Sequence, residues 1–145
     1  MRISDVLQYK GTDVVTVPAD TDVRELLAVL AQHRIGAVVV SGDGRSVDGI
    51  VSERDIVRGL TAGGAAILSG PVSALMTSPV ETCTPDMRLR QLAQAMTHGR
   101  FRHMPVVVDG ELIGIVSIGD IVKSRISELE VERDSLSDYV ARAAT

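Results

Sequence analysis

Two short stretches place residues able to do chemistry at a fixed spacing. Gly49-Ile50-Val51-Ser52-Glu53-Arg54-Asp55 returns as Gly114-Ile115-Val116-Ser117-Ile118-Gly119-Asp120. Each reads glycine, two aliphatics, serine, two variable residues and aspartate. The aliphatic run suits a buried strand and Ser-x-x-Asp opens a helix, so each copy predicts a strand feeding directly into a helix. Free N–H groups at such a junction favour an anion. Ser52 and Ser117 offer hydroxyls where a phosphate oxygen is favoured. Asp55 and Asp120, one turn into the helix, can accept both hydroxyls of a ribose diol. The same spacing is also a capping box, in which serine and aspartate only satisfy the helix end.

A second informative stretch is Arg100-Phe101-Arg102-His103-Met104, whose first-copy equivalent is Arg34-Ile35-Gly36-Ala37-Val38. The second copy thus gains Arg102 and His103 just before a strand. Guanidinium forks match phosphate oxygens, and an imidazole adds a hydrogen bond or partial charge. Arg54, inside the first motif, can reach phosphates, whereas Gly119 holds that position in the second. The two sites are therefore expected to be unequal.

These motifs lie within an internal duplication. Val14-Val15-Thr16-Val17 aligns with Val80-Glu81-Thr82-Cys83, and the register carries Leu26 onto Leu92, Arg34 onto Arg100 and Val40 onto Val106. The leaders align as well, Ile3-Ser4-Asp5-Val6-Leu7 with Val72-Ser73-Ala74-Leu75-Met76. Each unit reads as a leader helix, a short strand (Val14–Val17 or Val80–Cys83), a helix, a hairpin and a final helix. The first inner helix carries Val23, Leu26, Leu27 and Leu30 on one stripe, the second Leu89, Leu92, Ala93 and Met96. Asp20 or Thr21, and Asp86, are the expected N-caps. The hairpin strands are Ala37–Val40 and Met104–Val108, turning at Gly42-Asp43-Gly44 and Asp109-Gly110. Gly63-Gly64 through Ser69-Gly70-Pro71 reads as a flexible connector. The last helix runs to the C-terminus with Val122, Ile126, Leu129, Leu136 and Val140 on a heptad-like stripe that Arg133 interrupts. The organisation expected is a first repeat over 1–71, a second over 72–127, and a helical extension over 128–145.

Composition removes several function classes. The chain has 145 residues, net charge −4 and 2% aromatics, with 13 arginines against two lysines, Lys10 and Lys123. A basic footprint and stacking rings for nucleic acid are both missing. The apolar runs are too short for a membrane span, and a cytoplasmic location is expected. Cys83 stands alone, offers no metal-ligand pair, and reads as a small core residue. His33, His98 and His103 are the only histidines and none joins a recognisable nucleophile or metal set, so no catalytic residue and no metal site is expected.

The duplicated Gly-h-x-Ser-x-x-Asp motif, with Met104-Pro105-Val106 ahead of the second copy, resembles a cystathionine β-synthase (CBS) domain pair, or Bateman module. The resemblance covers nearly the whole chain. It implies an α/β fold of two β-α-β-β-α units packed about a pseudo-twofold axis, with two clefts between them. Members of that family commonly form disc-like homodimers, and many bind AMP, ATP, NAD or S-adenosylmethionine. By that resemblance phosphate and ribose fall to Ser117, Asp120, Ser52, Asp55, Arg54, Arg102, His103 and Arg100. The adenine falls to strand backbone at Thr16 and Thr82 and to Gly36, Ala37, Val38, Met104 and Pro105. Val39 stands where the second copy has Pro105, and the second copy is expected to carry the better site. The resemblance implies a ligand-sensing module with no obligatory cofactor, forming a homodimer and regulating a separate chain. The alternative is a structural dimerisation module whose clefts are degenerate.

Overall fold

The computed structural model describes residues 1–144. Its elements are α1 (Ile3–Lys10), β1 (Thr16–Val17), α2 (Val23–His33), β2 (Ala37–Val40), β3 (Gly49–Ser52), α3 (Glu53–Gly63), α4 (Leu89–Gly99), β4 (His103–Val108), β5 (Glu111–Ser117) and α5 (Ile118–Ala143). Strand β2 pairs parallel with β1 and antiparallel with β3, while β4 and β5 form an antiparallel hairpin. The fold is the α/β pair of repeats that the duplication implies. No helix among the described residues is long and apolar enough to cross a membrane.

Each repeat has its own core. Val23, Leu26, Val38, Val40 and Val51 are fully or almost fully buried in the first, and Leu92, Met96, Met104, Val106 and Val116 in the second. The leaders cross over. Ile3, Val6 and Leu7 of α1 sit in the second core, whereas Val72 sits in the first. This exchange accounts for the glycine that opens each motif. A Cβ at Gly49 would lie 2.4 Å from Met76 Sδ and 3.2 Å from the Thr77 carbonyl, and one at Gly114 would lie 2.8 Å from Leu7 Cδ2. Each leader therefore presses on a strand of the opposite repeat where no side chain fits.

Several details differ from the sequence expectation. The strand over Val80–Cys83 shrinks to a single bridge between Cys83 and Val106. In the first repeat the Val39 N–H donates to the Val15 carbonyl at 3.4 Å; Pro105, at the matching position, has no N–H to give. The second leader is only one 3₁₀ turn, Val72–Ala74. The chain must be extended by Thr77, where it exchanges backbone hydrogen bonds with Ile50 at 2.8 and 3.1 Å.

The connector is ordered rather than flexible. Gly64–Ser69 forms a 3₁₀ helix whose Ile67 and Leu68 pack on the first core. The Gly70 carbonyl accepts the Val23 N–H at 3.0 Å. The cap of α2 is Asp22, which accepts the Glu25 N–H at 2.7 Å, not Asp20 or Thr21. Helix α4 starts after Arg88 and not at Asp86, whose carboxylate instead takes the Thr84 hydroxyl. Cys83 is buried, and desolvation pushes its thiol pKa up to about 11, which fits a packing role.

Substituting Gly49 by alanine should destabilise the fold by about 1–3 kcal/mol, the usual cost of overpacking. Urea denaturation would read this as a lowered midpoint. An unchanged midpoint would show that Met76 and the Thr77 backbone yield freely.

Candidate functional site

Both Ser-x-x-Asp junctions fold as reciprocal caps. At the first, Asp55 Oδ2 accepts the Ser52 N–H at 2.8 Å and its hydroxyl at 3.0 Å, while Ser52 Oγ accepts the Asp55 N–H at 3.4 Å. At the second, the corresponding distances between Ser117 and Asp120 are 2.8, 3.0 and 3.2 Å. The first helical N–H at each junction is also taken, Glu53 by the Gly36 carbonyl at 2.9 Å and Ile118 by the Arg102 carbonyl at 2.8 Å. The caps thus secure helix ends that would otherwise carry orphan donors. Both serine donors at each junction go to Oδ2, and among the described residues Oδ1 of both aspartates makes no hydrogen bond to the protein.

Around the first junction lies a cleft of about 430 Å³. Ser52 and Asp55 form one wall, and the second repeat brings Arg100, Arg102 and His103 against it. Arg54 and Gly36 also face this space, as do Ile50, Val80 and Phe101, which supply apolar surface. Arg34 and Arg100, matching positions after α2 and α4, both adopt a left-handed backbone (φ 54° and 56°) that turns the chain sharply toward the following strand. Arg100 and Arg102, at and after this turn, line the cleft. The His103 ring lies over Gly36, where an added Cβ would be 3.7 Å from Cε1. Burial lowers the His103 pKa, the positive charges of Lys10 and Arg102 add to this, and Asp120 and Glu53 pull the other way. The lowered pKa favours the uncharged ring at neutral pH, which can offer a hydrogen bond rather than a charge.

The second junction has different chemistry. Lys10, at the end of α1, donates to Asp120 Oδ2 at 2.7 Å and to the Ile115 carbonyl at 2.8 Å. In the first repeat the matching carbonyl, Ile50, is satisfied by the Thr77 N–H. An ammonium group therefore replaces a backbone amide, and it neutralises the carboxylate in the same step. Burial alone would raise the Asp120 pKa; the Lys10 hydrogen bond, the Ser117 N–H and the Lys10 charge together outweigh it, and the pKa is lowered. Ser117 and Asp120 do not line the first cleft.

The residues expected at the adenine are placed apart from that cleft, Gly36 excepted. Val38 and Met104 belong to the two hydrophobic cores, and Ala37 and Pro105 are buried. Thr16 is half-buried on β1 and Thr82 is exposed; neither lines the cleft. Three charged lining residues escaped the sequence reading: Arg58, Glu81 and Glu53. Arg58 lies one turn after Arg54 on the same face of α3, a spacing that marks it. Lys10 carries no such signal, because its partner lies 110 residues away.

A depressed carboxylate stabilises the fold above its unfolded pKa, near 3.9, and this contribution disappears as the pH falls through the lower folded value. Asp120→Asn should therefore cost about 1 kcal/mol at pH 7, as expected for a partly exposed ion pair, and less at pH 2. Thermal denaturation at both pH values would show it. In Lys10→Met, burial is less opposed, and a carboxyl NMR titration should find the Asp120 pKa raised.

Comparison with known proteins agrees with this architecture. The CBS domain family model matches twice, over residues 3–62 and 72–127. The CBS domain-containing protein CBSX3, mitochondrial, of Arabidopsis thaliana is 34% identical over 146 residues, covering 95% of this chain and 71% of its own. The crystal structure of the CBS-domain containing protein ATU1752 from Agrobacterium tumefaciens superposes with a TM-score of 0.83 at 48% identity, covering 86% of this chain and 99% of that one. The CBS domain protein PAE2072 from Pyrobaculum aerophilum, complexed with AMP, superposes with a TM-score of 0.77 at 30% identity over 92% of this chain and 99% of its own. With two matched repeats, crossed leaders and paired Ser-x-x-Asp caps, this chain belongs to the CBS domain family.

Proposed function

We propose that this chain is a non-catalytic sensor module that binds an adenosine-containing ligand in its first cleft. The observation that carries this reading is the meeting of two repeats around one space. Asp55, with Oδ1 facing no protein donor, stands opposite Arg100, Arg102 and the neutral His103. A ribose diol suits the carboxylate, phosphate oxygens suit the guanidiniums, and Ile50, Val80 and Phe101 offer apolar surface for a base. AMP bound to the related PAE2072 supports the same ligand chemistry. ATP and NAD(H) share the adenosine and remain within this reading. Because the cleft is built from both repeats, a ligand there shifts how they pack, provided it binds one arrangement better than another.

A binding role, and not a catalytic one, is supported by the engagement of Ser52 in its cap. The Ser52 hydroxyl donates to Asp55 and not to a histidine, and the cleft holds no cysteine. The module acts as a cytoplasmic homodimer that passes its state to a separate protein. The exposed side chains of Ile126, Leu129, Leu136 and Val140 along α5 provide a face for the second copy.

Calorimetric titration of AMP, ATP, NAD, NADH and S-adenosylmethionine tests this reading. At least one should bind, and Asp55→Ala should weaken it roughly tenfold or more, the scale of one or two lost hydrogen bonds to a charged group. Asp120→Ala should leave that affinity nearly unchanged. Absence of binding by all five would favour a purely structural dimerisation module.

A further inference from the structure

The first cleft holds more guanidinium forks than a monophosphate needs. Four guanidiniums line it: Arg54 and Arg58 from α3, and Arg100 and Arg102 from the segment before β4. Among the described residues none of the four makes an ion pair or a side-chain hydrogen bond. This holds although Glu53 and Glu81 line the same cleft, where pairing would have been possible. Asp55 adds a third carboxylate, so with His103 uncharged at neutral pH the guanidiniums of the lining outnumber its acidic groups by one.

Four unpaired forks around about 430 Å³ raise a positive potential that a walled cleft focuses. Each fork offers two parallel donors to adjacent oxygens. One terminal phosphate presents three oxygens, enough for one or two forks, so the rest are left to further phosphates.

The second junction serves as an internal comparison. Gly119 replaces Arg54, Lys123 replaces Arg58, and Gly36 replaces Arg102, while Lys10 already neutralises Asp120. The set of four guanidinium forks is thus specific to one of two junctions that share the same serine, aspartate and cap geometry, since of the four matching positions only Arg34 keeps an arginine. Duplication of a helix cap does not account for it.

We infer that the first cleft selects adenine nucleotides carrying two or more phosphates over AMP and adenosine, and disfavours the sulfonium cation of S-adenosylmethionine. The adenine part of this inference rests on the proposed function, whereas the polyphosphate part rests on the arginines alone. Both Arg54 and Arg58 are exposed, so their replacement removes charge without opening the core.

The test titrates adenosine, AMP, ADP, ATP, S-adenosylmethionine and inorganic tripolyphosphate into the full chain and into Arg54→Gln/Arg58→Gln, with thermal melts confirming that the variant folds. ATP should bind at least about tenfold more tightly than AMP, equivalent to one charge-assisted hydrogen bond. In the double variant that ratio should fall to about threefold or less, while adenosine binds as before. Affinity that is flat from adenosine to ATP, or a ratio untouched by the double variant, overturns the inference and leaves the nucleotide reading intact. Tripolyphosphate bound and lost in the variant, with no adenine compound preferred over it, upholds the polyphosphate part and overturns the nucleotide reading. Silence from all six compounds overturns both.

Discussion

Each strand-to-helix junction hangs on one carboxylate oxygen that takes both the N–H and the hydroxyl of the serine three residues before it. That arrangement closes the helix end, fixes where the strand stops, and aims the aspartate's other oxygen away from the cap. The glycine three residues before the serine completes the constraint, since only a missing side chain lets a leader from the opposite repeat lie against the strand. Capping and binding are therefore compatible roles for the same pair. The cap uses Oδ2, and Oδ1 is available to a ligand.

The crossed leaders make the two junctions unequal. Both must satisfy the carbonyl of the motif isoleucine, yet the chain reaches it differently. Before the second repeat the leader unwinds after one turn, and the Thr77 amide does so. Before the first repeat it stays helical to Lys10, and the ammonium group does so while also holding Asp120. A ligand seeking the second carboxylate meets one already neutralised by Lys10, although its Oδ1 is unbonded as well. A ligand seeking the first meets a space walled by arginines from both repeats.

The repeat, the paired motifs and the hairpins arise from local pattern, and so were visible in the chain. Asp109-Gly110 makes its tight turn with both residues at positive φ, and the stripes on α2 and α4 bury as their spacing requires. What the pattern did not contain is what crosses between repeats. Nothing near Lys10 points to Asp120, and the aligned leaders gave no sign that each would pack on the opposite repeat. Pro105 was visible as a departure, yet its consequence, the loss of a ladder donor that shortens the strand at Cys83, depends on which neighbour the proline faces. The connector failed as a loop for a similar reason. Its glycines permit flexibility, but Ile67 and Leu68 find a core to enter. Ala37, Val38, Met104 and Pro105 bury their side chains, whereas the expectation placed on these stretches concerned strand backbone.

The central claim is that two junctions with one sequence motif are unequal, the first walled by arginines and the second neutralised by Lys10. A crystal structure of the chain grown with ATP tests it most directly. Nucleotide density is predicted against Asp55 and the arginines of the first cleft, with Lys10 still bonded to Asp120. Density at the second junction, with Lys10 swung away from Asp120 and the first cleft empty, would contradict it.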